Sequence, residues 1–108
     1  MDSYKAFLTS AASKQLRGHI DYVHYHLRNP IAAQRVWEDA NQTISALSTV
    51  AGSLKKCGHP VLAELGYRAI RYAKHDYVML YRIVGNTVYV EGVFHQMQDY
   101  ENTFAERQ

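Results

Sequence analysis

His95 stands at the end of an apolar run, Thr87–His95, where a strand side chain can face an open side. An imidazole titrates near neutrality, so it can give or take a proton. Arg68, Arg71, Lys74 and Arg82 lie on or beside the strand-like segments of the same half and can hold phosphates. Tyr72 and Tyr100 can stack a splayed base. A structural role competes with each: His95 can cap the sheet, and surface strand cations can serve solubility alone. Arg68 and Arg71 have opposite parity, so an ideal strand cannot put both on one face.

Two other groups invite chemistry and lose it on spacing. His24 and His26 are two apart, which points them to different sides of a helix, and His24 is off the face of His19 and His26. No metal or cofactor is expected from them. Cys57 has no cysteine partner and no evident activating base, so a catalytic thiol is not expected either.

These residues must be positioned by a chain of 108 residues and 12.4 kDa, the size of one domain. The 47 % hydrophobic and 20 % charged content excludes disorder. A lone cysteine excludes a disulfide framework and fits a reducing cytoplasm. No apolar stretch is long enough for a membrane span, and the first residues show no signal-peptide h-region. The net charge is +2, split between seven Lys/Arg against four Asp/Glu in residues 1–59 and five against six in residues 60–108. Any polyanion contact must therefore be local. Nine tyrosines suggest half-wet surfaces, where a ring packs and a hydroxyl bonds.

Residues 4–9 read as a short strand, with Thr9 or Ser10 as the cap of a first helix. Leu16, Ile20, Val23 and Leu27 form one helical face that stops at Arg28-Asn29-Pro30. Asn29 and Pro30 then cap and start a second helix with the stripe Ala33, Trp37, Ala40, Ile44 and Leu47. So short a link predicts an antiparallel hairpin over about 10–50. Residues 51–66 read as a loop, tacked onto the core by Val61, Leu62 and Leu65. Strands follow over 67–72, 77–84 and 87–95, with Gly85-Asn86 as a hairpin turn. Tyr77, Met79 and Tyr81 share a parity and are expected in the core. The tail 96–108 holds a short helix through Tyr100 and Phe104. The fold class is α+β, β-α-α-β-β-β. The hairpin covers one face of a small antiparallel sheet formed by a meander over about 66–95, strand one joins at an edge, and the other face is left for function.

At this point the pieces resemble the RelE/ParE superfamily of bacterial type II toxins. Tyr4–Thr9 with Ala11 or Ala12 resembles its first strand and "LT…A" helix start. Ile20-Asp21-Tyr22-Val23 with Asn29-Pro30-Ile31-Ala32-Ala33 resembles its helix-one end and "NPxAA" turn. Residues 66–70, 77–83 and 87–90 resemble its central strands, and His95 with Asp99-Tyr100-Glu101 its closing "HxxxDYE". The resemblance implies a growth-arresting toxin neutralised by an antitoxin. RelE-like members cut mRNA on the ribosome, and ParE-like members poison DNA gyrase. The resemblance implies acid–base roles for His95, Asp76 and Tyr100, with Arg68, Arg71, Lys74 and Arg82 on the RNA phosphates. It departs from the family's nucleases at Val78 and Gln96, where they carry basic residues. A ribosome-dependent endonuclease is the leading expectation, a gyrase inhibitor the alternative, and an inactive interaction module the third.

Overall fold

The computed structural model describes residues 3–108. Strand β1 (Lys5–Leu8) leads into α1 (Ser10–Asp21), a π-helical turn (Tyr22–His26) and α2 (Pro30–Val50). A short 3-10 turn (Ala51–Ser53) and α3 (Pro60–Glu64) precede β2 (Arg68–Arg71), β3 (Tyr77–Val84), β4 (Thr87–His95) and α4 (Tyr100–Ala105). The sheet order is β1-β4-β3-β2. β2, β3 and β4 form the expected antiparallel meander, and β1 joins at the β4 edge. That last pairing is parallel, so the sheet is mixed rather than antiparallel throughout.

The caps explain the helix starts. The Thr9 hydroxyl accepts from the Ala12 N–H at 3.2 Å, and the Asn29 side-chain Oδ1 from the Ala32 N–H at 3.0 Å. Pro30 occupies the first turn of α2, where its missing N–H has no partner to lose. Between the helices the Leu27 N–H donates to the Tyr22 carbonyl, five residues back. This inserted residue breaks the 3.6 period, and Leu27 turns outward, 57 % exposed, instead of completing the α1 stripe. Arg28 takes a left-handed φ of 50° to reverse the chain.

The helical pair packs on one sheet face. Ala12, Leu16, Val36, Ala40 and Leu47 meet Met79, Tyr81, Val88, Val90 and Val93 there. The Tyr81 hydroxyl donates to the Ala51 carbonyl at 2.7 Å, which satisfies it inside the core. Tyr77 packs against this cluster but is only half-buried.

The opposite face is not open. Leu62 from α3, Phe104 from α4, Cys57 and Tyr67 bury Val78, Leu80 and Phe94 in a second cluster. The segment 51–66 therefore contains a capped helical turn. Leu62 is its anchor, while Val61 and Leu65 remain about half exposed. Trp37 is also outside the core, 46 % exposed, because Val36 and Thr43 take the inward positions. Between Leu80 and Tyr81 the β3–β4 register shifts, leaving Glu91 as the extra residue of a bulge.

Candidate functional site

One end of the sheet collects the chemistry. There Tyr77 opens β3 opposite His95, which closes β4, and Arg71 ends β2 opposite Val78. Alternation along β4 sends Phe94 to the second cluster and His95 to the helix side. The end thus carries two different constellations, one on each face.

On the helix side, a cleft of about 560 Å³ is lined by His19, Tyr22, Val23, Leu27, Tyr77, His95 and Gln98. The Tyr77 ring lies between the two imidazoles, 4.9 Å from His19 and 5.4 Å from His95. The His95 Nδ1 accepts the Met97 N–H at 3.2 Å, so Nε2 carries the proton of the neutral ring. The His19 Nδ1 is buried without a partner. Burial first, and the neighbouring His95 second, hold the His19 pKa below its usual range. The unfolded chain then binds a proton near pH 6.5 that the folded chain binds only at lower pH. Acid therefore favours unfolding, and stability is lost as pH falls through that window. His19→Gln is expected to flatten the fall in melting temperature between pH 7.5 and 5.5, read by calorimetry.

On the other side, Arg71, Gln96, Asp76 and Tyr100 come together. The Arg71 Nη1 donates to Gln96 Oε1 at 3.4 Å, and Gln96 Nε2 donates to Asp76 Oδ1 at 3.1 Å. Tyr100 stacks on Phe94 at 6.1 Å. Burial, then the charge of Glu101, raise its pKa, while Arg71 pulls the other way.

Four of the seven expected site residues thus meet here or border the end, but they do not form one site. His95 is on the face away from Tyr100. Arg68 points to the Gly52 and Leu54 carbonyls and clasps the loop after α2. Arg82 donates to Glu91 Oε2 at 2.7 Å and lies over the Tyr67 ring. Both guanidiniums make bonds within the fold. Lys74 anchors its backbone N–H on Asp39 and leaves its ammonium free. Tyr72, proposed to stack a base, is buried at 6 % exposure, with burial pushing its pKa up.

Sequence reasoning missed Asp39 and His75. Asp39 is the one buried ionisable residue of α2, and His75 reads as a turn residue; only the fold brings them to 2.7 Å. It also missed His19 as a lining residue, because metal-ligand spacing does not detect a tilted contact with the Tyr77 ring.

A family model described as the ParE toxin of type II toxin–antitoxin system, parDE, matches residues 6–100. No curated protein sequence matches the chain. Among solved structures, a chain of the chromosomal ParDE toxin–antitoxin system from P. aeruginosa aligns with a TM-score of 0.71. The alignment covers 86 % of this chain and 96 % of that one at 17 % identity, a likeness of fold. With the family model spanning the helical pair and all four strands except Lys5 of β1, the chain belongs to the ParE toxin family of type II toxin–antitoxin systems, within the RelE/ParE superfamily.

Proposed function

We propose that this toxin arrests growth in the bacterial cytoplasm by binding and inhibiting DNA gyrase, and that a cognate antitoxin holds it in check. The observation that carries the reading is the match to the ParE toxin family over residues 6–100. The side-chain geometry supports it. Cleavage of RNA needs an acid, a base and cations converging on one phosphate. Here His95 and Tyr100 lie on opposite faces, and Arg68 and Arg82 are held in internal bonds. Val78 is fully buried where the family's nucleases carry an arginine, and Gln96 bridges Arg71 to Asp76 where they carry a basic residue. No helix among the described residues is long and apolar enough to cross a membrane.

A pulse of expression with separate readout of DNA and protein synthesis tests the reading. Replication is expected to stop first, and purified gyrase to lose supercoiling activity in the toxin's presence. His95→Ala is expected to keep gyrase inhibition within about twofold, because inhibition by binding needs no proton transfer from this imidazole. Early arrest of translation with mRNA cleavage, abolished by His95→Ala in a folded variant, would restore the endonuclease reading instead.

A further inference from the structure

Among the described residues, three buried side-chain atoms make no hydrogen bond: His19 Nδ1, Asp39 Oδ1 and the Tyr72 hydroxyl. His19 belongs to the aromatic cleft. The other two come from different elements, α2 and the β2–β3 connection, and are chemically complementary. A carboxylate oxygen only accepts, and a tyrosine hydroxyl has a proton to give. Folded proteins rarely leave such groups without a partner, and a bound water is the usual one where no side chain serves.

The fold brings these two groups to one place. Asp39 follows Val36 by three residues and precedes Thr43 by four, so all three share the inward face of α2. Its Oδ2 accepts the Lys74 N–H at 3.0 Å and lies 2.7 Å from His75 Nδ1, which leaves Oδ1 as the unused acceptor. Tyr72 stands two residues before Lys74, and its own N–H donates to the Tyr77 carbonyl at 2.9 Å, prolonging the β2–β3 ladder. Its ring packs in the core cluster that holds Val36 and Ala40 of α2, 5.3 Å from the Tyr77 ring. The Asp39 carboxylate acts on the hydroxyl from there: burial first, then Tyr77, then Asp39 raise the Tyr72 pKa. Asp39 also lines a cavity of about 350 Å³, with Arg35, Glu38 and Gln42 of α2 and with Lys74 and His75. Every one of these side chains is polar or charged, so water can fill the cavity and reach Asp39 through it. None of them gives Oδ1 a donor.

We propose that one buried water molecule bridges the Tyr72 hydroxyl and Asp39 Oδ1. The hydroxyl donates to the water oxygen, and the water donates one of its protons to Oδ1. Its second proton is left for the cavity. Water suits the pair because it accepts and donates within one small volume. An anion would leave the orphaned acceptor unsatisfied, and a metal cation would leave the hydroxyl proton without an acceptor. The bridge completes the hydrogen-bond shell of the carboxylate that holds the Lys74 N–H and His75. It also ties that carboxylate to a tyrosine of the core, so Tyr72 serves the attachment of the β2–β3 connection to α2.

A crystal structure of the full chain at atomic resolution tests the bridge, together with oxygen-17 relaxation dispersion in solution. The crystal is expected to show an ordered water at about 2.5–3.0 Å from both the Tyr72 hydroxyl and Asp39 Oδ1. In solution, Tyr72→Phe keeps the ring and removes the hydroxyl. Its relaxation excess is expected to fall below that of the unaltered chain by the contribution of a single long-lived water. Tyr25→Phe, at a ring 69 % exposed, is expected to leave that excess unchanged. A direct Tyr72–Asp39 bond in the crystal, a water on only one of the two groups, no water at either, or an unchanged excess in a folded Tyr72→Phe overturns the proposal. Should Tyr72→Phe fail to fold, the crystal of the unaltered chain decides alone. Gyrase inhibition enters neither readout, so the outcome leaves that reading where it stands.

Discussion

Phe104→Ala is expected to lower the unfolding free energy by about 3–5 kcal/mol, a large share of the about 5–15 kcal/mol that holds a domain folded. Phe104 is 5 % exposed on a helix of six residues that has little stability of its own. Its ring meets Tyr67 edge-on at 5.0 Å and Phe94 at 6.2 Å, and it lies over Gly92, where a Cβ would already be crowded by Phe94. Removing the ring therefore opens the second cluster and releases α4 from the sheet. The Tyr67 hydroxyl, which donates to Glu91 Oε1 at 2.9 Å, then gains access to water, and its pKa, pushed up to about 12 chiefly by burial, falls back toward 10. Urea denaturation measures the first effect, and ultraviolet pH titration of tyrosine the second. A loss below about 1 kcal/mol would mean that α4 merely lies on the sheet, and that the opposite face is open after all.

That closed face is where sequence and structure part most clearly. The strand Tyr77–Val84 is apolar at nearly every position, the pattern of a strand buried on both sides. Its even members Val78 and Leu80 needed a cover as much as Met79 and Tyr81 did. The cover comes from two short segments. Leu62 sits beside Val61 and Leu65, and Phe104 follows Tyr100, in stretches too short for periodicity to say which face of the sheet they close. The helical face of α2 shows the opposite error. Ala33, Ala40 and Leu47 fit both the expected stripe and the observed one, and Ile44 packs partly buried against the core, but the buried set adds Val36, Asp39 and Thr43 while Trp37 turns outward. This rotates the face by about 40°. Thr43 is inside because its hydroxyl donates to the Asp39 carbonyl at 2.8 Å, and a count of apolar residues cannot see that bond. Local chemistry was legible where it is local: the Thr9 and Asn29 caps, Pro30, and Gly85 at φ +62° in the β3–β4 turn. The expected site residues were least legible where their bonds depend on distant partners. Arg68 and Arg82 look free until the Leu54 carbonyl and Glu91 are brought beside them.

The Asp39–His75 pair makes the second large prediction, and its two halves are unequal. His75→Ala leaves the carboxylate of Asp39 buried with one backbone donor, the Lys74 N–H, and no protein group on Oδ1. An unpaired charge in that position costs about 3–5 kcal/mol. Asp39→Ala instead leaves an imidazole whose side chain is 28 % exposed and can turn to water, together with one unbonded N–H. That loss is expected at about 1–3 kcal/mol. Removing both residues abolishes the stranded charge, so the double variant is expected to be more stable than His75→Ala alone, and the coupling in a double-mutant cycle to exceed about 1 kcal/mol. Denaturation of the four proteins at pH 7 reads the cycle. Additive losses, or a milder effect from His75→Ala than from Asp39→Ala, would show that the pair does not hold the β2–β3 connection against α2. The same inequality bears on why a carboxylate sits there. Asp39 is the shared acceptor of the Lys74 N–H and of His75, and a hydrophobic residue at 39 would leave that N–H without its bond. What the acid adds is a fixed imidazole and an anchored Lys74 N–H, in a cavity also lined by Arg35, Glu38 and Gln42.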